Sequence, residues 1–104
     1  MATYTADAGE IGVYGRTLAA GVEDIVNIAN KAFRAEVRYW PGSGTEPIYA
    51  RVNSDTAAAA PSGDGGSPCV EILPGESVKL DTFGPATQVR LYSAGTAKYS
   101  VNEA

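Results

Sequence analysis

Cys69-Val70-Glu71-Ile72-Leu73, the turn Pro74-Gly75 and the run Glu76-Ser77-Val78-Lys79-Leu80-Asp81 decide the fold class of this chain. A loop through Phe83-Gly84-Pro85 follows. It leads to Gln88-Val89-Arg90-Leu91-Tyr92, the turn Ser93-Ala94-Gly95-Thr96 and the closing run Lys98-Tyr99-Ser100-Val101. Val70/Ile72, Val78/Leu80, Val89/Leu91 and Tyr99/Val101 each recur at a spacing of two with polar residues between. Alternation of that period puts one set of side chains on one face of a sheet, so each run reads as a half-buried strand. Pro74-Gly75 has the centre of a type II turn. Such a turn fits a two-residue hairpin poorly, which makes the runs on its two sides candidates for different sheets.

The rest of the chain must cover the apolar face of these four short antiparallel strands. Phe33-Arg34-Ala35-Glu36-Val37-Arg38-Tyr39-Trp40 supplies another, with Phe33, Ala35, Val37 and Tyr39 inward and Arg34, Glu36, Arg38 and Trp40 outward. Pro41-Gly42-Ser43-Gly44-Thr45 turns the chain back. In Pro47-Ile48-Tyr49-Ala50-Arg51-Val52 the residues Ile48, Ala50 and Val52 face in, while Tyr49 and Arg51 face out. Val22 to Ile28 is a further strand, with Asp24 on the same face as Val22, Val26 and Ile28. A helix over 21–33 is the competing reading of that spacing. Residues 1–17, rich in Gly, Ala and Thr, form either an N-terminal arm or a first strand, and residues 18–104 form the domain proper. Residues 53–68 are a long polar loop. About seven short strands with turn signals every ~8–12 residues predict an all-β, two-sheet antiparallel sandwich of immunoglobulin-like type.

Composition narrows the function. A chain of 104 residues, 44% hydrophobic and 19% charged, is one folded domain. Its net charge of −4 and scattered Lys and Arg argue against nucleic acid as the partner. No run approaches a membrane span, and the start Met1-Ala2-Thr3-Tyr4-Thr5 lacks the basic and apolar parts of a secretory signal. The single cysteine, Cys69, excludes an intrachain disulfide and reads as a small core residue. The chain has no histidine, so the commonest general base and the commonest transition-metal ligand are both missing. Asp55 and Asp64 lack the dense carboxylate spacing of a calcium loop. Gly63-Asp64-Gly65-Gly66 lacks the Lys-Ser/Thr of a phosphate loop. No catalytic, metal or cofactor residue is assigned.

Three stretches carry a resemblance. These are Thr3-Tyr4-Thr5-Ala6-Asp7-Ala8-Gly9, then Pro47-Ile48-Tyr49-Ala50-Arg51-Val52 running into the Gly/Asp/Ser loop, and Leu73-Pro74-Gly75-Glu76-Ser77 leading to Val89-Arg90-Leu91-Tyr92-Ser93-Ala94-Gly95 and Tyr99-Ser100-Val101. Together they resemble the small immunoglobulin-like β-sandwich decoration and minor structural proteins of tailed bacteriophage virions. The resemblance implies a non-enzymatic protein that binds the outer surface of the head in many copies and stabilises it noncovalently. The major capsid protein would be its partner and a trimer its self-associated form. The alternatives are a carbohydrate-binding or host-surface module, with Trp40, Tyr49 and Tyr92 as an aromatic platform, and a neck or tail protein of the same virion.

Aromatic residues mixed with Arg are enriched at protein interfaces. Trp40, Tyr49, Arg51, Arg90 and Tyr92, all on outward positions of their strands, are therefore the expected interface residues. Tyr4, Ile11 and Tyr14 join them if the arm takes part.

Overall fold

The computed structural model describes residues 2–6, 12–53 and 69–103; the side chains of residues 29–33, 81–87 and 103 lie outside that description. Its strands are β1 (Ala2–Ala6), β2 (Gly12–Leu18), β3 (Asp24–Tyr39), β4 (Ile48–Val52), β5 (Val70–Ile72), β6 (Ser77–Ser93) and β7 (Ala97–Glu103), and no helix occurs among the described residues. The ladders run β2-β7-β3-β6-β4-β5, with β1 added to β3. The fold is an all-β sandwich of two packed sheets.

Two long strands make the sandwich. The first part of β3, through Ile28, pairs with β1 and with the end of β6, and β4 and β5 extend that layer to five strands. The second part of β3, from Arg34, pairs with β7 and with the start of β6, and β2 completes a layer of four. Between the two layers the β3–β6 ladder is irregular, shifting between Asn27 and Ala32 and again between Ala32 and Arg34. The two shifts cancel, since Asp24 pairs with Leu91 and Arg38 with Ser77 in one common register. Both strands therefore bend together and pass from one sheet to the other.

This corrects three expectations. The loop through Phe83-Gly84-Pro85 is backbone of the continuous β6. A Pro-Gly punctuated stretch reads as a loop in sequence, but strands tolerate such residues where the ladder is interrupted by a bulge or bend. Likewise the strand at Val22–Ile28 and the strand from Phe33 are one element, and the helix over 21–33 does not form. The sandwich is also not wholly antiparallel, because β1 lies parallel to β3, Ala2 beside Asp24 and Ala6 beside Ile28.

The turn at Pro74-Gly75 does what its type requires. Gly75 has φ of 84°, and the Glu76 amide donates to the Leu73 carbonyl at 3.0 Å. On one side β5 ends at the edge of the five-stranded sheet, and on the other β6 begins at the edge of the four-stranded one.

The core forms where the alternation placed it. Val26 and Ile28, Ala35, Val37 and Tyr39, Ile48 and Ala50, Ile72, Leu80, Val89 and Leu91, and Tyr99 and Val101 are all buried. Edges depart from the pattern. Val70 is 37% exposed on the three-residue edge strand β5, and Cys69 is half-buried rather than a core residue. Asp24 does share the inward face and is 2% exposed. Its carboxylate accepts the Tyr99 hydroxyl from the opposite sheet at 2.9 Å and the Ala2 amide at 3.3 Å.

Ile11, the side chain of Phe33, and the loop with Asp55, Asp64 and Ala57 to Ala60 lie outside the described residues.

Candidate functional site

The outward residues fall on two opposite faces. Trp40 follows β3 directly, and because Tyr39 points into the core, Trp40 points out over the four-stranded sheet. Its amide continues the ladder by donating to the Lys98 carbonyl at 2.9 Å. Ser43, in the turn after Pro41, clamps that junction: its hydroxyl donates to the Trp40 carbonyl at 2.7 Å and accepts the Lys98 amide at 3.1 Å. The indole N–H donates to Ser100 Oγ at 2.8 Å. Ser100 alternates with the buried Tyr99 and Val101 and so lies on the outer surface of β7, yet it is only 1% exposed because the indole covers it.

The neighbouring edge strand is shaped to the same end. The β2–β7 register shifts by one residue between Val13 and Arg16, and Gly15 sits there with φ of 67°. One extra residue with a left-handed glycine is a β-bulge, a device that bends an edge strand and re-aims its side chains. The Gly15 amide donates to Ser100 Oγ at 3.1 Å, so one hydroxyl holds both the bulge and the indole. The bulge presents Tyr14, 72% exposed, with its ring edge-on to Trp40 at a centroid distance of 4.9 Å and an interplanar angle of 78°. Edge-to-face pairs of this kind contribute about 0.5–1.5 kcal/mol beyond the area they bury. The Lys98 ammonium lies 4.4 Å from the indole centroid and the Arg38 guanidinium 5.8 Å. Both distances are within the range of a cation–π attraction.

On the outer face of the five-stranded sheet, Tyr49 pairs in register with Tyr92, and Arg51 with Arg90. All four are half-buried. Arg90 makes an ion pair with Glu23 at 2.8 Å and donates from Nε to Gln88 at 3.2 Å. The Tyr49 hydroxyl is raised above its ordinary pKa, first by burial and then by Glu71, to which it is hydrogen-bonded. Tyr4 is on neither face. It packs against the core at the seam between β1 and β2, with the Arg16 guanidinium 4.4 Å above its ring.

Of the eight expected interface residues the structure thus joins Trp40 with Tyr14, and separately Tyr49 with Tyr92 and Arg51 with Arg90. A platform of Trp40, Tyr49 and Tyr92 does not assemble, because Trp40 lies on the opposite side of the sandwich. Sequence reading missed Gly15, Arg38, Lys98 and Ser100 as parts of the Trp40 unit. Alternation already put Arg38 with Trp40 and Lys98 with Ser100 on outward faces, but nothing local showed that the two runs share a sheet. Among the described residues no group of three metal-ligating side chains comes together.

No protein-family model and no curated protein matches the chain. Among solved structures it is similar to the crystal structure of a PliG-Ec mutant, a periplasmic lysozyme inhibitor of g-type lysozyme from Escherichia coli. The likeness covers 96% of this chain and 94% of that one at 12% identity, with a TM-score of 0.41. A likeness at that level carries no argument about what this chain binds.

Proposed function

We propose that the chain is a non-enzymatic structural protein of a tailed bacteriophage. In this reading it is a decoration protein that binds the outside of the head in many copies and stabilises the shell noncovalently. The single observation that supports it best is the Tyr14–Trp40 unit. It is a large exposed aromatic braced by a second aromatic, on a face whose backbone is fixed by a β-bulge and a serine-centred hydrogen-bond network. Rigid aromatic residues flanked by Arg are what interfaces concentrate, since they bury much surface while losing little rotamer freedom. The major capsid protein is the partner in this reading, and trimers at local threefold positions are the assembled form that the resemblance implies. Stabilisation follows from mass action, because a ligand that binds only the intact shell lowers the free energy of that state.

Quantitative mass spectrometry and electron microscopy of purified virions test the proposal. Many copies distributed over the head lattice are expected. A few copies at the neck or tail would keep a structural role and overturn decoration. Absence from the particle would overturn both.

A further inference from the structure

The charge on the face that carries Trp40 is not arranged like the charge of the chain as a whole. The chain is acidic, with twelve Asp and Glu against eight Lys and Arg. Yet four of those eight, Arg34, Arg38, Lys79 and Lys98, alternate outward with core residues on the four-stranded sheet. Two of the four have a carboxylate residue directly opposite in the ladder: Arg34 pairs with Asp81, and Lys79 with Glu36. The other two do not. Arg38 stands opposite Ser77 and Ser100, and Lys98 opposite Thr17. Among the described residues neither Arg38 nor Lys98 has a carboxylate within ion-pair distance; both lie against the Trp40 ring instead. On the opposite face, by contrast, Arg90 is closed onto Glu23.

From this we infer that the outer face of the four-stranded sheet docks on an acidic protein surface, with carboxylates pairing to Arg38 and Lys98 around the exposed Tyr14 ring. The inference rests on the reading of this face as the docking surface and adds the chemistry of the partner. The indole holds both cations in place before binding, so less side-chain freedom is lost when a carboxylate arrives. Among the described residues no carboxylate pairs with either cation, which suits Arg38 to a bidentate carboxylate contact. Single-stranded nucleic acid fits less well. Base stacking needs an open ring face, whereas Lys98 lies over the indole, and the surrounding chain repels phosphate.

Trp40 is the only tryptophan, so its fluorescence reports on this face alone. The test titrates the intact protein with an oligoglutamate peptide, an oligolysine peptide of equal length and an oligothymidine. The same titrations are repeated with the Arg38→Glu/Lys98→Glu double variant and with Arg51→Glu on the opposite face as control. Saturable, salt-weakened binding of oligoglutamate is expected, reduced by about tenfold or more in the double variant and little changed in the control. Circular dichroism confirms that each variant is folded; if the double variant is not, Arg38→Gln/Lys98→Gln takes its place. No response to oligoglutamate, equal loss in the control, or tighter binding of oligothymidine or oligolysine would each overturn the inference. Virions that carry the double variant at full copy number would overturn it as well while leaving the decoration reading standing.

Discussion

Replacing Tyr99 by Phe removes one oxygen from the centre of the sandwich, and the consequence follows from what that oxygen does. Tyr99 is fully buried, so the ring stays in place and no large cavity opens. What disappears is the donor 2.9 Å from Asp24 Oδ2, in the link that joins β7 of one sheet to β3 of the other. Asp24 is 2% exposed, and its remaining described donor is the Ala2 amide at the long distance of 3.3 Å. A hydrogen bond to a charged group contributes about 1.5–3 kcal/mol, and a buried acceptor left unsatisfied costs a similar amount. A loss of about 2 kcal/mol is therefore expected, which for a domain of this size lowers Tm by roughly 8 °C or more. Urea unfolding followed by circular dichroism measures it. The charge is isolated by repeating Tyr99→Phe in an Asp24→Asn background, where the bond is neutral and contributes only about 1 kcal/mol. Equal losses in the two backgrounds would refute the buried-carboxylate reasoning, and a loss below about 0.5 kcal/mol in the parent would refute the hydrogen bond's role altogether.

The same hydroxyl gives a pH dependence. Burial, and then the bond and the charge of Asp24, raise the Tyr99 pKa above its ordinary value of 10.0. The unfolded chain then releases this proton first, so stability is full below pH 10.0 and falls above it. The slope is at most about 1.4 kcal/mol per pH unit for this group, and Tyr99→Phe makes the alkaline limb shallower in denaturant titrations across that range. Ser100→Ala removes the acceptor shared by the Trp40 indole and the Gly15 amide, at a cost of about 1–2 kcal/mol in urea unfolding, and moves the indole N–H resonance. Gly15→Ala puts a side chain at φ of 67°, where L-residues lose about 1–2 kcal/mol, and should lower Tm without abolishing the fold. Under the proposed decoration role, Trp40→Ala should weaken binding to the head by about 2 kcal/mol or more in a particle-binding assay, while the paired Tyr49→Ala change on the opposite face leaves it unaltered.

How far the fold was legible depended on how local the signal was. Alternation within one run needs only neighbouring residues, and Ala35/Val37/Tyr39, Val89/Leu91 and Tyr99/Val101 are buried as their spacing says. The passage between sheets at Pro74-Gly75 was equally local, because a left-handed glycine constrains the path of the chain within four residues. Continuity of β3 and β6 was not local. Each strand crosses between layers only because the other bends beside it, and Gly84-Pro85 alone reads as a break. Asp24 shows the intermediate case. Its inward position was visible, but the hydroxyl that makes the position tolerable comes from Tyr99, 75 residues away.

The site illustrates a sharper boundary. A period of two says that a side chain points out; it does not say out of which sheet. Trp40, Tyr49 and Tyr92 satisfy the same rule in their own strands, and only the ladder partners, Lys98 for Trp40 and Tyr92 for Tyr49, divide them between opposite surfaces. That division changes the chemistry available. A single broad aromatic surface suits flat, sequence-tolerant stacking, whereas a braced Tyr14–Trp40 pair between two cations suits one oriented contact with a carboxylate-bearing surface. On the opposite face Tyr49 is bonded to Glu71 and Arg90 is paired with Glu23, so those two groups already have polar partners within the chain. Binding through both faces at once would need two different partner chemistries, so the proposed attachment is confined to the four-stranded sheet.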